Sequence, residues 1–153
     1  MINLRRILVP TDFSEFSEQA LRYAYELAGK FESELHLLLV VDDSTPLMLD
    51  PEFIQVDDFR AQQVSAAQKR LDECSVDSSN HKLSVARELR QGNPFVEIVR
   101  YAKDKDIDLI VMGTHGRSGL VHMMMGSVAE KVVRKARCPV LTIPKSEHEF
   151  VMP

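Results

Sequence analysis

The chain has little of what marks a secreted, membrane-spanning or nucleic-acid-coating protein. Two cysteines, Cys74 and Cys138, occur in 153 residues. That is too few for a disulfide framework, and a reducing cytoplasm is the expected setting. Basic residues are outnumbered: 19 Lys and Arg against 23 Asp and Glu give a formal net charge of −4. Broad nucleic-acid binding needs a basic face, so no nucleic acid is expected as partner. No apolar run approaches the roughly 20 residues that span a bilayer, and no membrane partner is expected either. Met1-Ile-Asn-Leu-Arg-Arg6 leads into a strand without the apolar core of a signal peptide. Cys, His and Asp nowhere cluster at metal-site spacing. What remains is an ordinary globular composition, 44% hydrophobic and 27% charged. One domain over residues 1–145 with a polar tail at 146–153 is the expectation.

Within that frame, apolar runs alternate with helical stripes. Ile7-Leu8-Val9, Leu35 to Val41, Leu83 to Leu89, Ile107 to Met112 and Val140 to Ile143 read as strands. Their near-continuous hydrophobicity suits a sheet covered on both faces. Between them, Ala20, Leu21, Ala24, Leu27, Ala28 and Phe31 form one helical stripe, and Val64, Ala67, Leu71 and Cys74 a weaker one. Asn93-Pro94 reads as N-cap and first residue of a third helix, with Phe95, Ile98, Val99 and Ala102 inward. Val128, Val132, Val133 and Ala136 are expected to face the core from a fourth. The order β-α-β-α-β-α-β-α-β implies an α/β fold, a doubly wound five-stranded parallel sheet with right-handed crossovers. Asp43 to Asp58, with Pro46, Pro51 and five acidic residues, reads as an exposed loop.

Chemistry concentrates at two strand ends. The fourth strand runs into Gly113-Thr-His-Gly116-Arg-Ser-Gly119-Leu-Val-His-Met-Met-Met-Gly126-Ser127 and then a helix. Glycines admit close backbone approach, and a helix start offers unpaired N–H donors and the positive end of a dipole, which together suit phosphate. The spacing is neither a Walker A loop nor Gly-x-Gly-x-x-Gly. The first strand ends Pro10-Thr11-Asp12. Ligands of open α/β sheets sit beyond the carboxyl ends of strands where strand order reverses. If these two strands are neighbours there, Asp12 and the glycine loop share one crevice. Plainer roles stand beside this: Asp12 with Glu15, and Ser127 with Glu130, both match a capping box. His115 is expected to shape the loop, Met123 to Met125 to plug it into the core, and His36 to be a satisfied core or interface residue. Arg117 is left open between phosphate and solvent.

These residues resemble the universal stress protein family. The likeness runs through Ile7-Leu-Val-Pro-Thr-Asp-Phe-Ser14, Asp108-Leu-Ile-Val-Met-Gly-Thr-His-Gly-Arg-Ser-Gly119, Gly126-Ser-Val-Ala-Glu-Lys-Val-Val-Arg134 and Cys138-Pro-Val-Leu-Thr-Ile-Pro144. It includes the spacing Gly-x2-Gly-x9-Gly-Ser/Thr at Gly113, Gly116, Gly126 and Ser127, which marks the ATP-binding branch of that family. The resemblance implies strand order 3-2-1-4-5, a Rossmann-like fold of the adenine nucleotide alpha hydrolase kind. It places Pro10, Thr11 and Asp12 near ribose and adenine, and Val40 or Val41 at the adenine edge. Met112 and Gly113 fall to the ribose side, and Gly116, Arg117, Gly126, Ser127 and Val128 to the phosphates. ATP or AMP is the implied ligand, with Mg²⁺ or Mn²⁺ as a companion of the phosphates. A homodimer through the last strand (Val140, Leu141, Thr142, Ile143) is implied as well.

The expected role is therefore a nucleotide-gated dimeric stress-response module. A slow ATPase or autophosphorylating enzyme is the first alternative, weakened by the missing Walker lysine and base. A nucleotide-free dimerisation protein is the second. A receiver domain is disfavoured because the third strand ends Arg90-Gln91-Gly92, without an acidic phosphoacceptor. A flavodoxin-like domain is disfavoured because its phosphate loop follows the first strand, where Thr11-Asp-Phe-Ser-Glu15 stands.

Overall fold

The computed structural model describes residues 2–43, 56–75, 83–115 and 125–144. Among them the strands are β1 (Arg6–Thr11), β2 (Glu34–Val41), β3 (Val85–Gln91), β4 (Leu109–Gly113) and β5 (Val140–Ile143). The helices between them are α1 (Glu15–Phe31), α2 (Val56–Glu73), α3 (Pro94–Asp104) and α4 (Ser127–Lys135). All strand pairs are parallel, in the order β3-β2-β1-β4-β5.

Side chains alternate across a pleated strand, so each apolar run feeds two cores. Ile7, Val9, Leu35, Leu37, Leu39 and Val111 pack on one side with Ala20, Ala24 and Ala28 of α1 and Leu71 of α2. Leu8, Leu38, Ile110 and Met112 pack on the other with Ile98 and Tyr101 of α3 and Ala129 and Val132 of α4. Truncating one of these fully buried leucines to alanine is expected to cost about 2–5 kcal/mol.

The alanine stripe lets α1 lie close against the sheet. Its N-cap is Ser14, whose hydroxyl accepts from the Ser17 N–H, and its C-cap Glu32 is left-handed at φ 56°. The Ser33 N–H then returns to the Ala28 carbonyl at 2.9 Å, closing the last turn.

Three readings of the sequence need correction. Val133 does not face the core: it is 43% exposed, while Ala129 and Val132 are buried. One step along a helix turns a side chain about 100°, so a stripe through Val128, Val132 and Ala136 carries Val133 outward. Phe31, at the last position of α1, is 39% exposed rather than covered. The acidic loop is shorter than Asp43 to Asp58, because α2 begins at Val56 with Asp57 and Asp58 in its first turn. Carboxylates there complement the helix dipole.

Beneath α3 lies a buried polar pair. His36 Nδ1 and the Tyr101 hydroxyl are 2.8 Å apart, and His36 Nε2 stands 3.3 Å from a Glu34 carboxylate oxygen. A tyrosine O–H donating to Nδ1 leaves the ring proton on Nε2, aimed at Glu34. Burial lowers the His36 pKa, with Glu34 opposing. Burial, helped by the Glu88 charge, pushes the Tyr101 hydroxyl up to about 12. The Arg90 guanidinium covers the tyrosine ring at 4.8 Å and bonds Glu88 at 2.9 Å. His36 is thus a core residue whose Nδ1 is satisfied by Tyr101, while its buried Nε2 lies near Glu34 without forming a hydrogen bond.

Candidate functional site

Strand order turns around between β1 and β4, which pair through Ile7–Leu109 and Leu8–Ile110. Beyond their carboxyl ends lies a cavity of about 320 Å³. Its walls come from four directions. Pro10, Thr11 and Asp12 close β1, Leu38 and Val40 belong to β2, and Met112, Gly113, Thr114 and His115 leave β4. Pro94 and Ile98 of α3 meet Gly126, Ser127, Val128 and Ala129 at the start of α4. Of the residues singled out by sequence, Pro10, Thr11, Asp12, Val40, Met112, Gly113, Gly126, Ser127 and Val128 therefore converge. Val41 lines the neighbouring cavity instead. Gly116, Arg117, Met123 and Met124 lie outside the described residues, while Met125 does pack on the α3–α4 core.

The β1 end is a tight turn held by side chains. Thr11 Oγ1 accepts the Phe13 N–H at 3.1 Å and donates to Ser17 Oγ at 3.2 Å. Ser17 in turn donates to the Ser14 carbonyl at 2.9 Å. An Asp12 carboxylate oxygen accepts the Ser14 N–H at 2.9 Å, and Phe13 takes the left-handed φ of 59°. Asp12 is thus not the cap of α1; Ser14 is, which makes Glu15 the first helical residue and not the third. The carboxylate instead folds the turn and reaches the cavity rim.

This turn also ends the β1–β2 ladder. Glu34 N–H donates to the Arg5 carbonyl at 2.8 Å, and with Thr11 opposite Leu39 even-numbered β2 residues turn their backbone toward β1. At the next step the Phe13 N–H would reach the Val40 carbonyl, but it donates to Thr11 Oγ1. The ladder therefore gives Val40 no donor there. Val41 faces the opposite way, its carbonyl taken by the Gly92 N–H at 3.0 Å.

At the β4 end, Gly113 has a reason of its own. A Cβ there would stand 2.7 Å from Phe16 Cβ and 2.9 Å from the Phe16 backbone. The glycine admits α1, whatever else it admits. Thr114 N–H donates to the Ile143 carbonyl at 3.1 Å, and the Gly126 N–H donates to the Thr114 carbonyl at 2.6 Å. The two ends of the glycine loop are thereby stapled together. His115 Nδ1 lies 2.9 Å from Thr114 Oγ1, and its ring meets Phe16 at 5.4 Å between centroids.

α4 starts without a side-chain cap. Its N-cap is Gly126, so Ser127 is the first helical residue and the box with Glu130 is not formed. The Glu130 N–H is taken by the Gly126 carbonyl. Those of Ser127, Val128 and Ala129 precede the first intrahelical bond and border the cavity. Chemically this end presents backbone donors and a positive dipole to an anion, and the opposite end a carboxylate and the Val40 carbonyl. Leu38, Ile98 and Met112 make the floor apolar, which suits a flat ring.

Ser17, Leu38, Pro94, Ile98, Thr114 and Ala129 also line this cavity and were not singled out by sequence. Leu38 and Ile98 carry only the ordinary apolar periodicity of core residues. For Pro94 the helix-start signal was there, but nothing in the chain order says that α3 begins beside α4.

The match to the Universal stress protein family model spans residues 3–144. The chain belongs to that family. MJ0531, a universal stress protein of Methanocaldococcus jannaschii, is 34% identical over 147 residues, covering 95% of this chain and 85% of its own. The solved structure of MJ0577 from the same organism superposes with a TM-score of 0.80 at 29% identity, covering 96% of this chain and all of its own. A more distant neighbour from Archaeoglobus fulgidus was solved in complex with dAMP. It shares the fold at a TM-score of 0.55 and 23% identity, covering 94% of this chain and 99% of its own.

Proposed function

We propose that this universal stress protein binds adenine nucleotide in the β1–β4 cleft and acts as a nucleotide-gated dimer. One observation carries the reading: a bare helix N-terminus, stapled to the end of β4, shares a cavity with Asp12 and the Val40 carbonyl. Phosphates suit the first, a ribose hydroxyl suits the carboxylate, and an amino group on a flat base suits the carbonyl. A family neighbour solved with dAMP adds weight to the adenine assignment. In this reading Met112 and Gly113 flank the ribose, and Gly116, Arg117, Gly126, Ser127 and Val128 surround ATP or AMP phosphates.

Mg²⁺ or Mn²⁺ accompanying the phosphates would rely mainly on phosphate oxygens and water, with Asp12 the carboxylate that the cavity offers. Holding fits this site better than turnover, since Asp12 is bonded to the Ser14 N–H and His115 to Thr114. The dimer would pair β5 edge to edge, where Leu141 is 39% exposed.

Protein purified without denaturation, then unfolded for mass spectrometry, should release ATP, ADP or AMP at up to one per chain. Protein that releases none and also gives no heat with added ATP or AMP contradicts the assignment.

A further inference from the structure

A second cavity, of about 480 Å³, adjoins the first and shares Asp12, Val40 and Pro94 with it. The two lie on opposite faces of the sheet. Leu38 lines the first, from the α3–α4 side. Leu39 and Val41, with Ala66 and Ala67 of α2, line the second. They meet over the carboxyl edge of β1 and β2, where the Asp12–Ser14 turn ends the ladder. The Arg70 guanidinium sits over the Phe13 ring at 4.4 Å and closes one wall of the second chamber. Asp42 and Gln63 supply its remaining polar lining.

We propose that this chamber is a subsite for a substituent on the exocyclic amine of the base, so that the site accepts N6-substituted adenine nucleotides. The inference rests on the adenine reading above. An adenine amine carries two hydrogens, and the Val40 carbonyl, on the shared rim, needs one donor. Replacing the other hydrogen by an alkyl or aryl group keeps the donor and directs the group over the rim. The chamber is large enough, since a cavity of roughly 150 Å³ already holds a benzene ring. Its walls suit such a group: aliphatic side chains on one side, and an arginine-backed phenyl ring on the other.

The test is calorimetric titration of the full chain with AMP, N6-benzyl-AMP and N6,N6-dimethyl-AMP. N6-benzyl-AMP is expected to bind about tenfold tighter than AMP, from burial of the ring. The dimethyl compound lacks the N–H and is expected to bind at least tenfold weaker than AMP. Ala66 is exposed on α2, so Ala66→Trp should fill the chamber without unfolding the protein. It should abolish the benzyl gain and leave AMP affinity within twofold. N6-benzyl-AMP binding no tighter than AMP, or a gain that survives Ala66→Trp, overturns the subsite while leaving the adenine reading intact. Failure of AMP itself to bind overturns both.

Discussion

Gly113 and Gly126 belong to one sequence motif yet answer to different physics. Gly113 closes β4 against the backbone of Phe16, where a single added carbon would stand 2.7 Å from another. Gly126 caps α4 with no side chain and ties its N–H to the Thr114 carbonyl at 2.6 Å. The first glycine is required by the packing of α1, before any ligand arrives. The second shapes a helix start that faces the cavity. A motif read as one phosphate cradle is thus a fold requirement at one end and an uncapped helix start lining the cavity at the other.

The largest expected effect comes from breaking the first end. Gly113→Val should lower the unfolding free energy by about 3 kcal/mol, the upper range for overpacking against groups that cannot move aside. Urea unfolding reads this directly, and a change under about 0.5 kcal/mol would mean that α1 does not need the glycine. Loss of nucleotide binding in that variant would then report on folding and not on phosphate.

Gly126→Ala should invert the pattern. An alanine N-cap costs at most about 1 kcal/mol of stability, while adenine-nucleotide affinity is expected to fall at least tenfold. Equal affinity for the variant and the parent would remove Gly126 from the ligand surface.

A pH titration sharpens the contrast from a region remote from both glycines. His36 has its pKa lowered by burial in the folded chain relative to the ordinary 6.5. The unfolded chain therefore takes up the proton first as pH falls, so stability is full above 6.5 and declines below it. Melting temperature measured from pH 7.5 to 5.5 should fall less in His36→Gln than in the parent. Identical slopes in the two proteins would show that His36 does not carry the acid sensitivity.

Ser127→Ala is the mildest change. Because Gly126 and not Ser127 is the cap, stability should stay within about 0.5 kcal/mol. Affinity should drop about threefold if the hydroxyl meets a phosphate. A stability loss near 1 kcal/mol would instead restore the capping role.

Much of this was legible in the chain, and the gaps have physical causes. β5 was readable to its ends, Val140 and Ile143, because Pro139 and Pro144 bracket it. The start of α3 was readable because proline fits only the first turn. The order 3-2-1-4-5 implied by the family resemblance correctly set β1 beside β4, which the residues themselves left open. The two capping boxes failed for a shared reason: the box spacing says which side chains can cap, not which residue the chain chooses. At α1 the cap moved to Ser14, and at α4 a glycine took it. The clash at Gly113 and the His36–Tyr101 bond are contacts between residues far apart in sequence, and no local pattern encodes them. The second chamber was invisible for the same reason, since it needs α2 laid against the end of β2.

The central claim is that the cleft between β1 and β4 holds adenine nucleotide through the start of α4. Calorimetric titration of the parent and Gly126→Ala proteins with AMP and GMP, with melting temperatures matched beforehand, tests it most directly. One AMP per chain, weaker or absent GMP binding, and at least a tenfold loss for AMP in the variant are expected. Equal affinity for AMP and GMP, or an unchanged affinity in Gly126→Ala, would contradict it.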